Sequence, residues 1–554
     1  MKSNYYSGYI SLIIICFIMF QFRSGFAQEK IDKEVHVIKP YEPTISDAYK
    51  INVLPKSDDT LTIVPSFNYS IVPSRINTHF DIKPINAAKV VGEPLTKLYN
   101  SYLKIGAGNY ISTLLELNMN NLRSNKHSVG TYLKHMSSNG KIKLDNDEKT
   151  AAGYNENKVQ LYGTKFYRKA ILSGDVSYNA NGFSYYGVDT ILNKDDIKQN
   201  FICLNTYTFF KSTHTDSSHL NYNISLNYDL FRDKNENIEN GLIFSTKFDK
   251  FLKKESEVIG INAKLSYFDK SVSIDSSYNI VIHINPWICK FSDEWKVFIG
   301  LNYYSDLITG ENENYFYPKA RLEFNVIENI LIPYFGIDGK FEVNNYKKIA
   351  NRNFFITPGL HVKNTDYKKI IYGGLKGSFS SKTAFNFKAK YSVVDDMFFF
   401  VNDTSDILEN QFNVVYDDVE IFDFYGEVSM NQLEKLSFLL KGNYYQYAMR
   451  KEEKPWHEPE YDLTLTTKYN LRNKIIVSAD IFAISDRFTR SFVTETSHIK
   501  LNRIVDLNLS IEYRYTKILS AFICLNNITS AKYYRWNQYP MQGFNLMAGF
   551  TYAL

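Results

Sequence analysis

Chemistry in a protein begins with side chains that can bind metal, move protons or attack, so those residues come first. The ten histidines are scattered, and none sits in a His-x-x-x-His or His-Glu-x-x-His arrangement. The one local histidine and carboxylate cluster is His457-Glu458-Pro459-Glu460. A zinc site there would need a further ligand at a suitable angle, and Pro459 between the two carboxylates, just ahead of a strand-like run, suits a hairpin loop better. Past the leader, Cys203, Cys289 and Cys524 each stand alone in an apolar run, which is neither a disulfide framework nor a zinc cluster. No Gly-x-Ser-x-Gly elbow, phosphate loop or dinucleotide fingerprint occurs. The expectation is a protein that is not an enzyme, with no catalytic residues, no metal and no cofactor.

The surroundings of these residues point to export and to sheet. Lys2, the apolar run Ile10 to Met19 and the small-x-small triplet Gly25-Phe26-Ala27 form a signal peptide, with cleavage expected between Ala27 and Gln28. The formal net charge is +5, and acidic and basic residues are interleaved, as in KFDKFLKKESE. That pattern gives no basic stripe for nucleic acid. Aromatic residues make up 16% of the chain, with 43 Tyr and 40 Phe. Tyrosine joins an apolar ring to a polar tip and suits a boundary between lipid and water. Beyond the leader no run approaches the roughly 18 apolar residues of a membrane helix.

Residues 28–98 are rich in proline (Pro40, Pro43, Pro55, Pro65, Pro73, Pro84) and read as extended or irregular chain, periplasmic or lining a lumen. From residue 99 the texture changes. In 220–230, Leu220, Tyr222, Ile224, Leu226, Tyr228 and Leu230 alternate with Asn221, Asn223, Ser225, Asn227 and Asp229. YDLTLTTKYNL (461–471) and VDLNLSIEYRY (505–515) repeat that period of two, the mark of a strand. Such runs match the roughly 9–11 residues of a tilted strand that crosses a bilayer, longer than most soluble strands.

An apolar face outward and a polar face inward describes a transmembrane antiparallel β-barrel over 99–554, with Asn221, Asn223, Asn227, Glu512 and Arg514 among the lumen-lining residues. Counting the runs gives about 22 strands, within roughly 20 to 24. Tight turns are expected at Asn139-Gly140, Asn181-Gly182 and Arg472-Asn473-Lys474, and an external loop at 137–158. A barrel of that width has more lumen than its own wall can fill. The final run, GFNLMAGFTYAL, keeps the period of two to Leu554, so it is expected to pair with the first strand and close the barrel.

Three stretches resemble the TonB-dependent outer-membrane receptors, and in particular a short subgroup lacking the usual plug domain. They are SYLKIGAGNYISTLLELNMN (101–120), with Gly106-Ala107-Gly108-Asn109-Tyr110 its most recognisable part, EVHVIKPYEPTISDAYKI (34–51), and LNNITSAKYYRWNQYPMQGFNLMAGFTYAL. In the last, Asn526-Asn527-Ile528 opens a turn, and Tyr539-Pro540 and Gly543 lead into the final strand. Phe544 stands where the receptor pattern usually has Arg. The resemblance implies a barrel in the cell outer membrane, in contact with its lipid, that transports a solute. It also implies a segment around Val35 and Val37 that engages an inner-membrane energy-coupling protein by strand addition, and a surface lipoprotein as a further partner. Gly549, Tyr552 and Leu554 are similar to the C-terminal signal read by barrel-assembly machinery. The alternative from a different class is a structural or docking barrel of the cell envelope without transport activity.

Overall fold

The two faces of each strand meet different surroundings, and the computed structural model separates them accordingly. It describes Leu98 to Leu554 apart from 122–123, 145, 188–196, 215–217, 253–255, 272–276, 309–310, 359, 406–407, 433–434 and 492–496. The expected leader with Ala27 and Gln28, and the segment carrying Val35 and Val37, lie outside the described residues.

Twenty-two antiparallel strands form one closed sheet. In chain order they are β1 (Ser101–Gly108), β2 (Ser112–Asn120), β3 (His127–Ser138), β4 (Tyr154–Phe166), β5 (Ala170–Ser184), β6 (Lys198–Ser212), β7 (Asn221–Asp233), β8 (Ile238–Phe251), β9 (Glu257–Ser271), β10 (Ser277–Phe291) and β11 (Trp295–Ile308). The second half is β12 (Glu311–Phe324), β13 (Ile332–Glu342), β14 (Thr365–Ser380), β15 (Thr383–Asn402), β16 (Phe412–Gln432), β17 (Leu436–Met449), β18 (Tyr461–Leu471), β19 (Ile475–Ile484), β20 (Ile504–Arg514), β21 (Leu519–Asn526) and β22 (Asn545–Ala553).

Along β7 the alternation separates the faces as expected. Leu226 is 45% exposed on the outer wall, while Asp229 on the opposite face is 7% exposed. Val505 and Tyr513 on β20, and Tyr461, Leu463, Tyr469 and Leu471 on β18, are exposed in the same way. A band of exposed Leu, Ile, Val and Phe around a closed sheet is the surface a bilayer requires, and closure leaves no strand edge in lipid.

The connections differ at the two ends. One end has short turns such as 167–169, 381–382 and 472–474, and the other has 139–153, 343–364, 485–503 and 527–544. Short periplasmic turns and long external loops orient such a barrel in its membrane. Arg472 and Asn473 both have positive φ, 53° and 56°, in the turn between β18 and β19, as expected without a glycine. The other two expected turns are corrected. Asn181 and Gly182 lie inside β5, paired across β4 with Glu156 and Asn155. This strand keeps its pairing with both neighbours through the dipeptide, so turn chemistry is overridden by pairing. Asn139-Gly140 links β3 to a small hairpin of Lys141–Lys143 with Lys149–Ala151, within the expected external loop.

The barrel closes where the sequence indicates. β22 pairs with β21 on one side and with β1 on the other, from Gly108↔Met547 to Tyr102↔Ala553. Asn109 reinforces the seam, donating from Nδ2 to the Phe544 carbonyl at 2.8 Å and accepting the Leu546 N–H at 3.0 Å. Gly549 is needed there, because a Cβ would stand 2.0 Å from the Ile105 carbonyl oxygen. Gly108 faces the same constraint, since a Cβ would stand 2.3 Å from the Leu546 carbonyl oxygen. Deleting Tyr552 to Leu554 removes the rungs Leu103↔Tyr552 and Tyr102↔Ala553 and the reciprocal backbone bonds between Leu554 and Ser101. The expected outcome is a large loss of membrane-inserted barrel, read by heat-modifiable gel mobility. Wild-type levels of inserted protein would contradict this account of the seam.

Candidate functional site: a polar lumen beneath an aromatic loop cap

The inner wall is a hydrogen-bonded polar surface of both charges. Asn205 donates to Asn227 at 2.8 Å and to Asp229 at 2.6 Å, Asn227 donates to Asp229 at 2.9 Å, and Asn221 donates to Asp249 at 3.1 Å. Glu512 pairs with Arg514 at 3.1 Å, Lys134 with Glu156 at 2.7 Å and Lys390 with Asp423 at 2.8 Å. The expected lumen residues are therefore brought to one surface, although Asn221, Asn227, Glu512 and Arg514 make contacts at different points around it. Cys203, Cys289 and Cys524 are free thiols. Each alternates with an exposed apolar neighbour (Leu204, Ile288, Ile523), so all three belong to the inner face.

The long loops close over one end of this lumen. Phe183, Tyr185, Tyr186, Tyr346, Ile349, Ile356, Phe400, Phe412 and Tyr539 form a buried apolar cluster, with Phe355 and Trp536 packed against it. Phe355 stacks on Tyr539 with ring centroids 3.6 Å apart, and Tyr186 meets Tyr539 edge-on at 5.0 Å. Trp536 lies 5.0 Å from Phe400 and 5.7 Å from Phe412. The polar tips of the buried rings are matched: Tyr539 donates to the Asn410 carbonyl at 2.5 Å, Tyr186 to Pro540 at 2.9 Å and Tyr185 to Ile356 at 3.0 Å. Tyr539-Pro540, in the connection that leads into β22, lies at the centre of the cap in a small hairpin with Tyr534–Trp536. Asn527, with φ of 46°, does open the turn after β21, binding the Ala531 N–H and carbonyl at 3.0 Å each.

Among the described residues one α-helix occurs, α1 (Tyr346–Arg352), which buries Tyr346, Ile349 and Ala350. Glu239 of β8 accepts from the backbone N–H groups of Tyr346 at 2.7 Å and Lys347 at 3.1 Å, holding the first turn. Lys347 reaches Asp229 on the wall at 2.5 Å. Beneath α1 lies a cavity of about 310 Å³ lined by Glu156, Ser177, Asn179, Asn181, Asn205 and Lys347 among others. Such a lining can hydrogen-bond a polar group in several directions.

His457-Glu458-Pro459-Glu460 falls in the loop 450–460 between β17 and β18, as a hairpin-loop reading expects. His457 is buried, with Nδ1 3.0 Å from the Phe400 carbonyl and Nε2 3.4 Å from the Asn537 N–H. That pairing requires a neutral ring with its proton on Nδ1. Burial then holds the imidazole well below its ordinary 6.5, at about 3. Glu458 forms an ion pair with Arg352 of α1, and burial raises its carboxyl. The cluster therefore ties three loops together. Among the described residues, no group of three or more His, Cys, Asp or Glu side chains is placed to hold a metal.

Sequence reasoning missed Tyr186, Phe355, Phe412, Trp536 and Tyr539 as a unit. The signal was present in NRNFFITPG and KYYRWNQYP, where aromatic residues crowd into loops without strand periodicity.

The sign of the His457 effect follows from linkage. Its folded pKa lies below the unfolded value, so the unfolded cap binds more protons between about pH 3 and 6.5. Stability is full above about pH 6.5 and falls as the solution is acidified through that window. Tryptophan emission, in a background with Trp287 and Trp295 of the wall replaced by Phe so that it reports the buried Trp456 and the nearby Trp536, should red-shift as pH falls toward 4, and His457→Gln should flatten this response. An unchanged profile in the variant would contradict the assignment.

No family model matches the sequence, and no curated protein matches it either. Solved structures do. The siderophore receptor PirA from Acinetobacter baumannii aligns with a TM-score of 0.65 at 8% identity, over 83% of this chain and 81% of its own. A point mutant of the ferric enterobactin receptor PfeA from Pseudomonas aeruginosa gives 0.62 at 10% identity over 83% and 81%. The pyoverdine outer membrane receptor FpvA of Pseudomonas aeruginosa PAO1, bound to pyoverdine, gives 0.61 at 11% identity over 83% and 79%. At such identities the likeness concerns the fold. This chain therefore shares the fold of these outer-membrane receptors, a closed antiparallel barrel of 22 strands.

Proposed function

We propose that the protein works in the outer membrane as a receptor-type barrel that passes a solute across it, with the loop cap as its external closure. The observation that carries this reading is the polar inner wall, charged in both signs, beneath a cap in which loop residues pack on aromatic rings at the upper ends of the wall strands. A wall of paired charges and amides suits selection by lumen polarity and width. The likeness to receptors for siderophores supports transport without identifying the solute. The export leader would be removed between Ala27 and Gln28, and Gly549, Tyr552 and Leu554 would be read by barrel-assembly machinery. A surface lipoprotein beside the cap would complete a receptor assembly.

Planar-bilayer recording tests the reading. Tyr539→Ala removes the ring at the centre of the cap, a change worth about 3–5 kcal/mol for a buried aromatic. Combined with deletion of 28–98, it should give discrete conductance steps. A barrel that stays closed in that double variant would count against transport and favour the docking alternative.

In the energised form of this reading, the segment around Val35 and Val37 adds a strand to an inner-membrane coupling protein. Replacing both with proline should then abolish uptake while leaving barrel levels unchanged. Uptake at the wild-type rate would remove the coupling.

A further inference from the structure

The barrel wall is uneven. β12 pairs with β11 along its whole length, from Ile308↔Glu311 to Trp295↔Phe324. On its other side β12 meets β13 through only four rungs, Ala320↔Ile337 to Glu323↔Tyr334. β13 then bulges between Asp338 and Lys340 and stays with β14. From Glu311 to Lys319 the edge of β12 therefore has no strand partner, a length of about 30 Å. Unpaired strand edges facing lipid are costly, so a wall keeps one only where something else covers it.

Side chains on the lumen side supply that cover. Tyr317 is 5% exposed and lies flat against Gly339, where a Cβ would stand 2.6 Å from the ring. Its hydroxyl passes β13 and donates to Asp366 of β14 at 2.5 Å. Asn302 reaches from β11 to the Gly339 carbonyl at 2.8 Å, and Lys319 meets Asp338 at 3.2 Å. Phe341 stacks on Tyr315 at 4.7 Å, closing the space above. On the lipid side stands Phe316, 63% exposed.

The gap is thus shut by rings and hydrogen bonds instead of a backbone ladder, and these rearrange through side-chain torsions alone. One margin is aromatic and faces lipid, while the other carries amides and ion pairs and faces the lumen.

We propose that this seam is a lateral opening by which an amphipathic molecule exchanges between the lumen and the outer leaflet, with Tyr317 as its latch. The polar head would travel along the Lys319, Asp338 and Asn302 side, and the apolar tail would pass Phe316. Passage rests on the transport reading, whereas the exposed edge does not.

Two measurements separate the claims. Amide hydrogen exchange of the full protein in lipid nanodiscs should show the free-edge amides of 312–319 exchanging at least about tenfold faster than those of 300–307 at the same depth. Equal protection of the two segments overturns the opening. In proteoliposomes, transfer of a dansyl-labelled long-chain fatty acid should rise at least about threefold in Tyr317→Phe, which keeps the ring and loses the bond to Asp366. Tyr303→Phe, which loses a hydroxyl bond to Asn314 outside the lumen, should leave it unchanged. Unchanged transfer in Tyr317→Phe, or an equal rise in Tyr303→Phe, overturns the latch.

Discussion

A β-strand in a bilayer has no water to satisfy its backbone, so each N–H and C=O must find a partner in the protein. The arrangement of this molecule follows from that requirement. It sets the closed sheet of 22 strands and the use of β22 on both of its edges. It also explains why Gly108 and Gly549 sit where they do, since any side chain there would push the closing strands apart. The exception on β12 is informative for the same reason. Where the ladder stops, side-chain bonds of Tyr317, Asn302 and Lys319 bridge the neighbouring strands.

The loop end obeys a different constraint. Outside the membrane, water is available and the loops gain by burying apolar surface together. Aromatic rings from several connections meet around Tyr539 and Trp536, and the hydroxyls of Tyr185, Tyr186 and Tyr539 each find a carbonyl. His457 fits the same logic, neutral and bonded at both nitrogens, so that a cluster resembling a metal site serves to join loops. The wall is held by its backbone ladder, and the cap by buried rings together with bonds from α1 to Glu239 and Asp229 of the wall.

Much of the wall was legible in the sequence because lipid and lumen impose opposite demands on alternate residues. Leu226 and Asn227, or Val505 and Asp506, announce their sides by type alone. The turn at Arg472-Asn473 could be read because asparagine tolerates the left-handed backbone it needs. Asn181-Gly182 could not, because its pairing with Asn155 and Glu156 is non-local and outweighs its turn propensity. The helix α1 was missed although Asn345 precedes Tyr346, Ile349 and Ala350 at helical spacing, since seven residues give too short a period. The cap was legible only as aromatic crowding in NRNFFITPG and KYYRWNQYP; its members lie far apart in the chain, and no local pattern shows that they meet.

The central claim is that the sheet spans a membrane with the long-loop cap facing outward. Single cysteines at Lys500 in the cap and Lys382 in a short turn, in a background with Cys203, Cys289 and Cys524 replaced by serine, test it most directly. Intact cells treated with a membrane-impermeant maleimide should label the Lys500→Cys protein and spare Lys382→Cys until the envelope is opened. Labelling of Lys382→Cys in intact cells, with Lys500→Cys protected, would contradict the orientation and the account built on it.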